Sequence, residues 1–231
     1  MTTVPPLPDD AAPPAIPNRF GPAAILGEIR PACVLLAWLT VITGILYPLG
    51  TTVAARILFP HEASGSLVRA PDGTVRGSRL IGQPFTGPGW FHGRPSATGD
   101  FPADPTASGG SNLGPTNPAL AELVADRAAA VRRDAPHHAG PIPVDLVTAS
   151  ASGLDPHLSP RAALLQVPRV AAARGLSEAR VRSLVAARIE SPTFGILGRP
   201  RVNVLLLNLA LENLVHEASR GDAADGSGPP P

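Results

Sequence analysis

Ser150, Ser152, Asp155 and His157 stand within eight residues of one another, and these are the side-chain types that serve as nucleophile, base and orienter. A nucleophile elbow reads Gly-x-Ser-x-Gly, and the stretch does not meet that pattern. It reads better as chain leaving into the Asp155-Pro156 turn. His137-His138 offers two metal donors, but in a proline-flanked linker with no third ligand at a familiar spacing, so a solvated loop is expected. His92 follows Trp90-Phe91 and reads as a hydrogen-bonded histidine in a packed aromatic corner. Ser108-Gly109-Gly110-Ser111-Asn112 is a glycine-rich polar loop running toward a helix start at Asn117, a place where anions can bind. No strand leads into it, so a structural loop is the plainer reading. The sequence is expected to hold no catalytic residues and no metal ligands.

One absence narrows the field further. Lysine plus arginine number 19, and every one is arginine. Without lysine there is no Walker A loop, no Schiff base and no Ser-x-x-Lys acyl-enzyme. Cys33 is the single cysteine, which excludes an intrachain disulfide and a thiolate zinc site. The formal charge of +1 on 231 residues gives no electrostatic reason to bind nucleic acid.

The elements that must position these residues begin with a membrane segment. Pro31 to Ala55 carries no charge between Arg30 and Arg56. Those 25 residues make a helix of roughly 37 Å, against about 30 Å of hydrocarbon. A transmembrane helix is therefore expected over residues 25–57, with Pro48 and Gly50 loosening its last turns. A cleaved signal peptide fits less well, because the preceding tail is long, poorly basic and carries Asp9, Asp10 and Glu28. Arg19 and Arg30 precede the span and Arg56, Arg69, Arg76 and Arg79 follow it, so charge alone leaves the orientation open.

Residues 1–24 and 220–231 are rich in proline, alanine, glycine and aspartate and are expected as disordered tails. Residues 58–219 are one soluble domain. Leu67–Arg69 and Thr74–Ile81 flank Pro71-Asp72-Gly73 and predict a hairpin. Residues 82–117 form a long aperiodic loop, which calls for either function or packing. Asn117-Pro118 opens a helix, and Pro143–Ala149 alternates enough for a short strand. Ser159-Pro160 opens a second helix, interrupted at Pro168 and ended near Gly175, and Ser177 caps a third. Leu205–Leu214 is apolar and helical, with Val202-Asn203-Val204 as a possible strand before it. No βαβ rhythm appears, so the expected class is α+β, with a single N-terminal transmembrane helix and one mixed soluble domain.

In the long loop the residues become specific. Gln83-Pro84-Phe85-Thr86, Trp90-Phe91-His92-Gly93-Arg94-Pro95-Ser96-Ala97 and Ser108 to Pro118 resemble the C subunit of the bacterial Kdp potassium-transporting ATPase. So do Asp145 to His157, Gln166-Val167-Pro168-Arg169-Val170-Ala171 and Val202-Asn203-Val204. The resemblance covers roughly residues 28–215 and implies an accessory, non-catalytic subunit of an ATP-driven potassium importer in the bacterial inner membrane. Its implied partners are a potassium-channel-like subunit, a P-type ATPase catalytic subunit and a small peptide subunit. Its implied role is assembly, together with a higher ATP affinity of the catalytic subunit, so ATP enters as a cofactor only through that partner. Gln166 is the position matched to a family nucleotide contact. The family is drawn with its soluble domain outside the membrane, where ATP is scarce, and an outward domain is the favoured reading. Trp90, Phe91, Arg94 and Asn112 are candidates for the partner interface, with internal packing as the other role open to the two aromatics. The alternative function is a membrane-anchored periplasmic enzyme or binding protein unrelated to transport.

Overall fold

The computed structural model describes residues 21–70, 72–99 and 101–225. The proline-rich tail over residues 1–20, Pro71 of the hairpin turn, and residues 226–231 of the C-terminal tail lie outside the described residues. The chain divides into two compact units between Ala63 and Ser64.

The first unit is helical. Helix α1 (Pro22–Val41) passes through a π-helical turn at Ile42–Leu46 into α2 (Tyr47–Leu58), and the short α3 (Pro60–Ala63) follows. The stretch Leu26–Leu58 is long and apolar enough to cross a membrane, and none of it is buried. The irregularity falls one turn earlier than the loosening expected after Pro48. Proline lacks an N–H, so the carbonyl of Gly44 has no partner four residues on, and the ring crowds that carbonyl. The helix widens instead, and Tyr47 N–H donates to Ile42 O, five residues back. Thr43 and Thr51 return their hydroxyls to the backbone, to Leu39 O at 2.7 Å and Tyr47 O at 2.9 Å.

The second unit is α+β. Strands β1 (Leu67–Arg69) and β2 (Val75–Ser78) pair antiparallel as the predicted hairpin. Its turn is fixed by Asp72, which accepts from Thr74 N–H at 2.9 Å, and by Gly73 at φ +84°. Helix α4 (Pro118–Asp134) starts as its sequence requires, with Asn117 Oδ1 accepting from Ala119 N–H at 3.0 Å and proline in the first turn. The strand expected over Pro143–Ala149 is instead a single 3₁₀ turn, Val144–Leu146. Alternating apolarity over so few residues does not distinguish the two, and only Leu146 of that turn is buried.

Strand β3 (His157–Leu158) leads into helix α5 (Pro160–Arg174), which is followed by α6 (Glu178–Ala187), β4 (Ile189–Glu190), β5 (Arg201–Asn203) and α7 (Val204–Asp225). Pro168 does not interrupt α5. It sits on the exposed side of the helix, while Ala163, Val167 and Val170 across the helix hold the other side in the core. Gly175 ends α5 at φ +65°, and Leu176 N–H closes the turn on Ala171 O at 3.0 Å. Helix α7 is longer than the Leu205–Leu214 run that announced it, and it continues past residue 220 to Asp225.

The three short strands form one antiparallel sheet in the order β3-β5-β4. The core lies where this sheet meets α5, α6 and α7. Leu158, Val167, Val170, Val181, Val185, Val202, Leu207 and Leu211 are all at most 2% exposed there, and Phe91 from the long loop joins them. Asn203 ties the sheet to both neighbours: Nδ2 donates to Arg79 O at 2.8 Å, and Oδ1 caps the start of α7 by accepting from Leu206 N–H at 3.1 Å.

Candidate functional site

The described residues of 82–117 contain no helix or strand, yet several of their backbone groups are hydrogen-bonded. Buried polar backbone must find partners, and here the partners are side chains from α5 and α7. Asn208 on α7 is 0% exposed, and its carboxamide clasps Phe91 from both ends. Its Oδ1 accepts from Phe91 N–H and its Nδ2 donates to Phe91 O, each at 2.9 Å. Gln166 on α5 does the same to the next residue, accepting from His92 N–H at 2.8 Å and donating to His92 O at 3.0 Å. Successive residues of an extended chain present their polar groups to opposite sides. The two amides therefore act as the neighbouring strands this segment lacks.

Arginines serve the carbonyls before it. Arg169 Nη1 donates to Pro88 O at 2.7 Å and Trp90 O at 3.0 Å, and Arg174 Nε donates to Gly89 O at 2.8 Å. The Arg174 guanidinium also lies 4.2 Å from the Trp90 ring centroid, and the Phe85 ring packs on Trp90 with centroids 5.6 Å apart. His92 Nε2–H closes the segment on itself by donating to Gly87 O at 2.8 Å. Burial lowers the pKa of His92 and the nearby Arg169 lowers it further, against the Gly87 bond and Asp134, which raise it.

The second motif, Asp145 to His157, braces the far end of the loop. Asp145 accepts Ser159 N–H at 2.7 Å and the Ser159 hydroxyl at 3.1 Å, which sets up the cap of α5. Asp155 accepts from Arg94 Nη1 at 2.9 Å and from His157 N–H at 3.0 Å. Burial by itself would raise the Asp155 carboxyl, but the bonds from His157 and Arg94 outweigh it and hold it at about 2. Gly153 has φ +69°, and a Cβ there would lie 2.3 Å from Thr98 Cγ2 and 2.8 Å from Gly109 O. The two motifs touch through backbone, and only glycine permits the approach.

The residues singled out from the sequence are distributed as follows. Phe91 is 0% exposed and is a core residue, so it offers no surface to a partner. Trp90 is half-buried. Arg94 spends its charge inside the domain on Asp155, with Ala149 O at 3.4 Å from Nη2, so it is a brace rather than a free cation. Asn112 is exposed in the left-handed region at φ +51°. Gln166 is 6% exposed, and both its acceptor and its donors are engaged, by His92, by Ala162 O at 3.4 Å and by Arg169 Nη2 at 2.8 Å. No hydrogen-bonding capacity is left over for an adenine edge.

His157 approaches Asp155 at 3.5 Å, and among the described residues neither Ser150 nor Ser152 bonds to it. The glycine-rich loop is tied to the second motif, with Gly109 N–H and the Ser108 hydroxyl both donating to Ser152 O, while Ser111 and Asn112 stay exposed. Among the described residues no three histidine, cysteine, aspartate or glutamate side chains come together as a metal site. Asn208, Arg169 and Arg174 were not anticipated. Asn208 was the findable one, a lone amide inside the apolar run Leu205–Leu211 that had to meet a polar partner once buried.

The profile of the family described as "KdpC: K+-transporting ATPase, c chain" matches residues 29–213, most of the chain. The chain belongs to the KdpC family. Curated relatives agree along nearly their whole length. A protein of Sorangium cellulosum named "Potassium-transporting ATPase KdpC subunit" is 61% identical over 188 residues, 81% of this chain and 98% of the relative. Proteins of the same name from Polaromonas naphthalenivorans and Methylobacterium nodulans are 58% and 55% identical, over 80% and 82% of this chain. KdpC membership makes the chain a subunit of a potassium-transporting ATPase, and it removes the alternative of an anchored protein unrelated to transport.

Proposed function

We propose that this KdpC-family chain is a non-catalytic accessory subunit that helps assemble the transporter and raises the ATP affinity of its catalytic subunit. Its partners on this reading are a potassium-channel-like subunit, a P-type ATPase subunit and a small peptide subunit. The span holds it in the inner membrane, and the soluble domain lies on the outer face. The supporting observation is the clasp. Gln166 and Asn208, two buried polar side chains, are consumed in holding Phe91 and His92. A chain that spends its polar groups on fixing one surface loop is built to present a shape. The gain in ATP affinity then passes through subunit contacts, with no nucleotide on Gln166.

Co-expression of the full chain with its partner subunits tests this. The complex is expected to purify intact with the chain present, to fall apart without it, and to show a lower KM for ATP when it is added back. Potassium-stimulated ATPase of equal KM and yield in its absence would overturn the reading.

A further inference from the structure

Between β4 and β5 the chain makes a short finger, Pro192 to Gly198. Thr193 and Leu197 exchange both backbone hydrogen bonds at 2.9 Å, and Gly195 N–H donates to Pro192 O at 2.9 Å. Gly195 and Gly198 take φ +76° and +89°, and Phe194 itself is left-handed at φ +54°, a conformation an aromatic residue adopts only where its surroundings impose it. The tip is thus a fixed turn. On it Phe194 is 88% exposed and Ile196 81%, the two most exposed large hydrophobic side chains among the described residues, the membrane helix included. Leu197 beside them is 57% exposed.

The base of the finger is cationic. Glu190 is already held by Arg79 at 2.9 Å and Arg201 at 3.2 Å. Arg188 and Arg199 are exposed and, among the described residues, make no ion pair. A rigid apolar knob with a positive collar fits a cleft of the opposite design, apolar at its floor and rimmed by carboxylates. A bilayer surface would also accept it, but the spanning helix already supplies membrane retention far stronger than three side chains could add. A fixed turn, moreover, is rewarded by a shaped partner and not by a fluid surface.

We propose that this finger is a docking knob, and that Phe194 and Ile196 insert into an apolar, acid-rimmed cleft on another subunit of the ATPase. The inference rests on the assembly reading above and gives it a contact. The test uses the full chain co-expressed with its partner subunits. Phe194→Ser with Ile196→Ser is expected to keep the wild-type denaturation midpoint, since both side chains are in water, while partner binding weakens roughly tenfold to a hundredfold. Arg199→Glu is expected to weaken it in the same direction. A second arm leaves Phe194 in place: Cys33→Ser with Ile196→Cys carries an environment-sensitive fluorophore, expected to shift to the blue only when the partners are present.

Wild-type recovery of partners by the double variant would overturn the knob, as would a probe unchanged on assembly. So would a blue shift of the chain alone in vesicles, quenched by brominated lipid, which would assign the tip to the membrane. Failure of the wild-type chain itself to bring down any partner would remove the assembly reading and the knob with it, a result visible before any variant is made.

Discussion

Gln166 and Asn208 each hold one loop residue by both its N–H and its C=O, and the Asp155 carboxylate holds Arg94 at 2.9 Å. Gln166→Leu keeps the size of the side chain but strands the N–H and C=O of His92, at a cost of about 2–4 kcal/mol. Urea denaturation of the full chain in detergent, read from Trp90 in a Trp38→Phe background, should show that loss. A residue that served a nucleotide instead would lose ligand affinity at unchanged stability, so the two roles separate cleanly. Asp155 makes a prediction in pH. Its folded pKa is lowered from 3.8 to about 2, so its carboxylate adds stability that is complete above pH 4 and lost as pH falls toward 2. That contribution is roughly 2 kcal/mol by linkage, partly screened because the side chain is 29% exposed. Asp155→Asn is expected to be less stable at pH 7, and to have a flatter stability profile between pH 4 and pH 2 than the wild type. Parallel profiles would deny the carboxylate its role.

At the scale of elements, the first helix shows how a sequence rule can be right in kind and displaced in position. Pro48 does disturb the helix, but the disturbance is stored as a π turn at Ile42–Leu46, because the missing donor is felt by a carbonyl four residues earlier. The helix still runs on to Leu58. Leu39 lies near the middle of the apolar stretch and is 48% exposed to whatever surrounds the helix. Leu39→Arg is expected to cost about 2.5–3.5 kcal/mol of insertion and to lower the amount of chain in the membrane fraction after carbonate extraction. Unchanged retention would mean that the helix does not span. Helix α5 teaches the converse about proline. Pro168 cost no break because it stands on the exposed side, and the buried Ala163, Val167 and Val170 across the helix from it carry the packing.

The whole molecule is a membrane helix joined to an α+β unit, and the side of the membrane on which that unit sits decides what it can meet. An outward domain cannot draw on cytoplasmic ATP, which agrees with a Gln166 already occupied within its own fold. A reporter active only outside the cytoplasm, fused after Ser219, is expected to be active. A reporter active only in the cytoplasm, fused at the same place, is expected to be silent. The reverse pair of results would put the domain on the side where ATP is abundant.

Local chemistry was enough for some of this architecture. The uncharged run from Pro31 to Ala55 has few fates in water, so one membrane helix followed from composition. Asn117-Pro118, Ser159-Pro160, Gly175 and Ser177 marked helix ends because capping depends on residues a turn apart, and the structure places those ends there. Family membership was legible in contiguous strings such as Trp90 to Ala97 and Asp145 to His157, and the family profile covers both within residues 29–213. The 3₁₀ turn at Val144–Leu146 was not legible, because a few alternating residues carry no length to separate it from a strand. Nor were the roles of Phe91, Arg94 and Gln166. Phe91 and Asn208 are 117 residues apart, and His92 and Gln166 are 74 apart. Which amide holds which peptide depends on how α5 and α7 pack, and that packing gives the loop an order its own residues cannot supply.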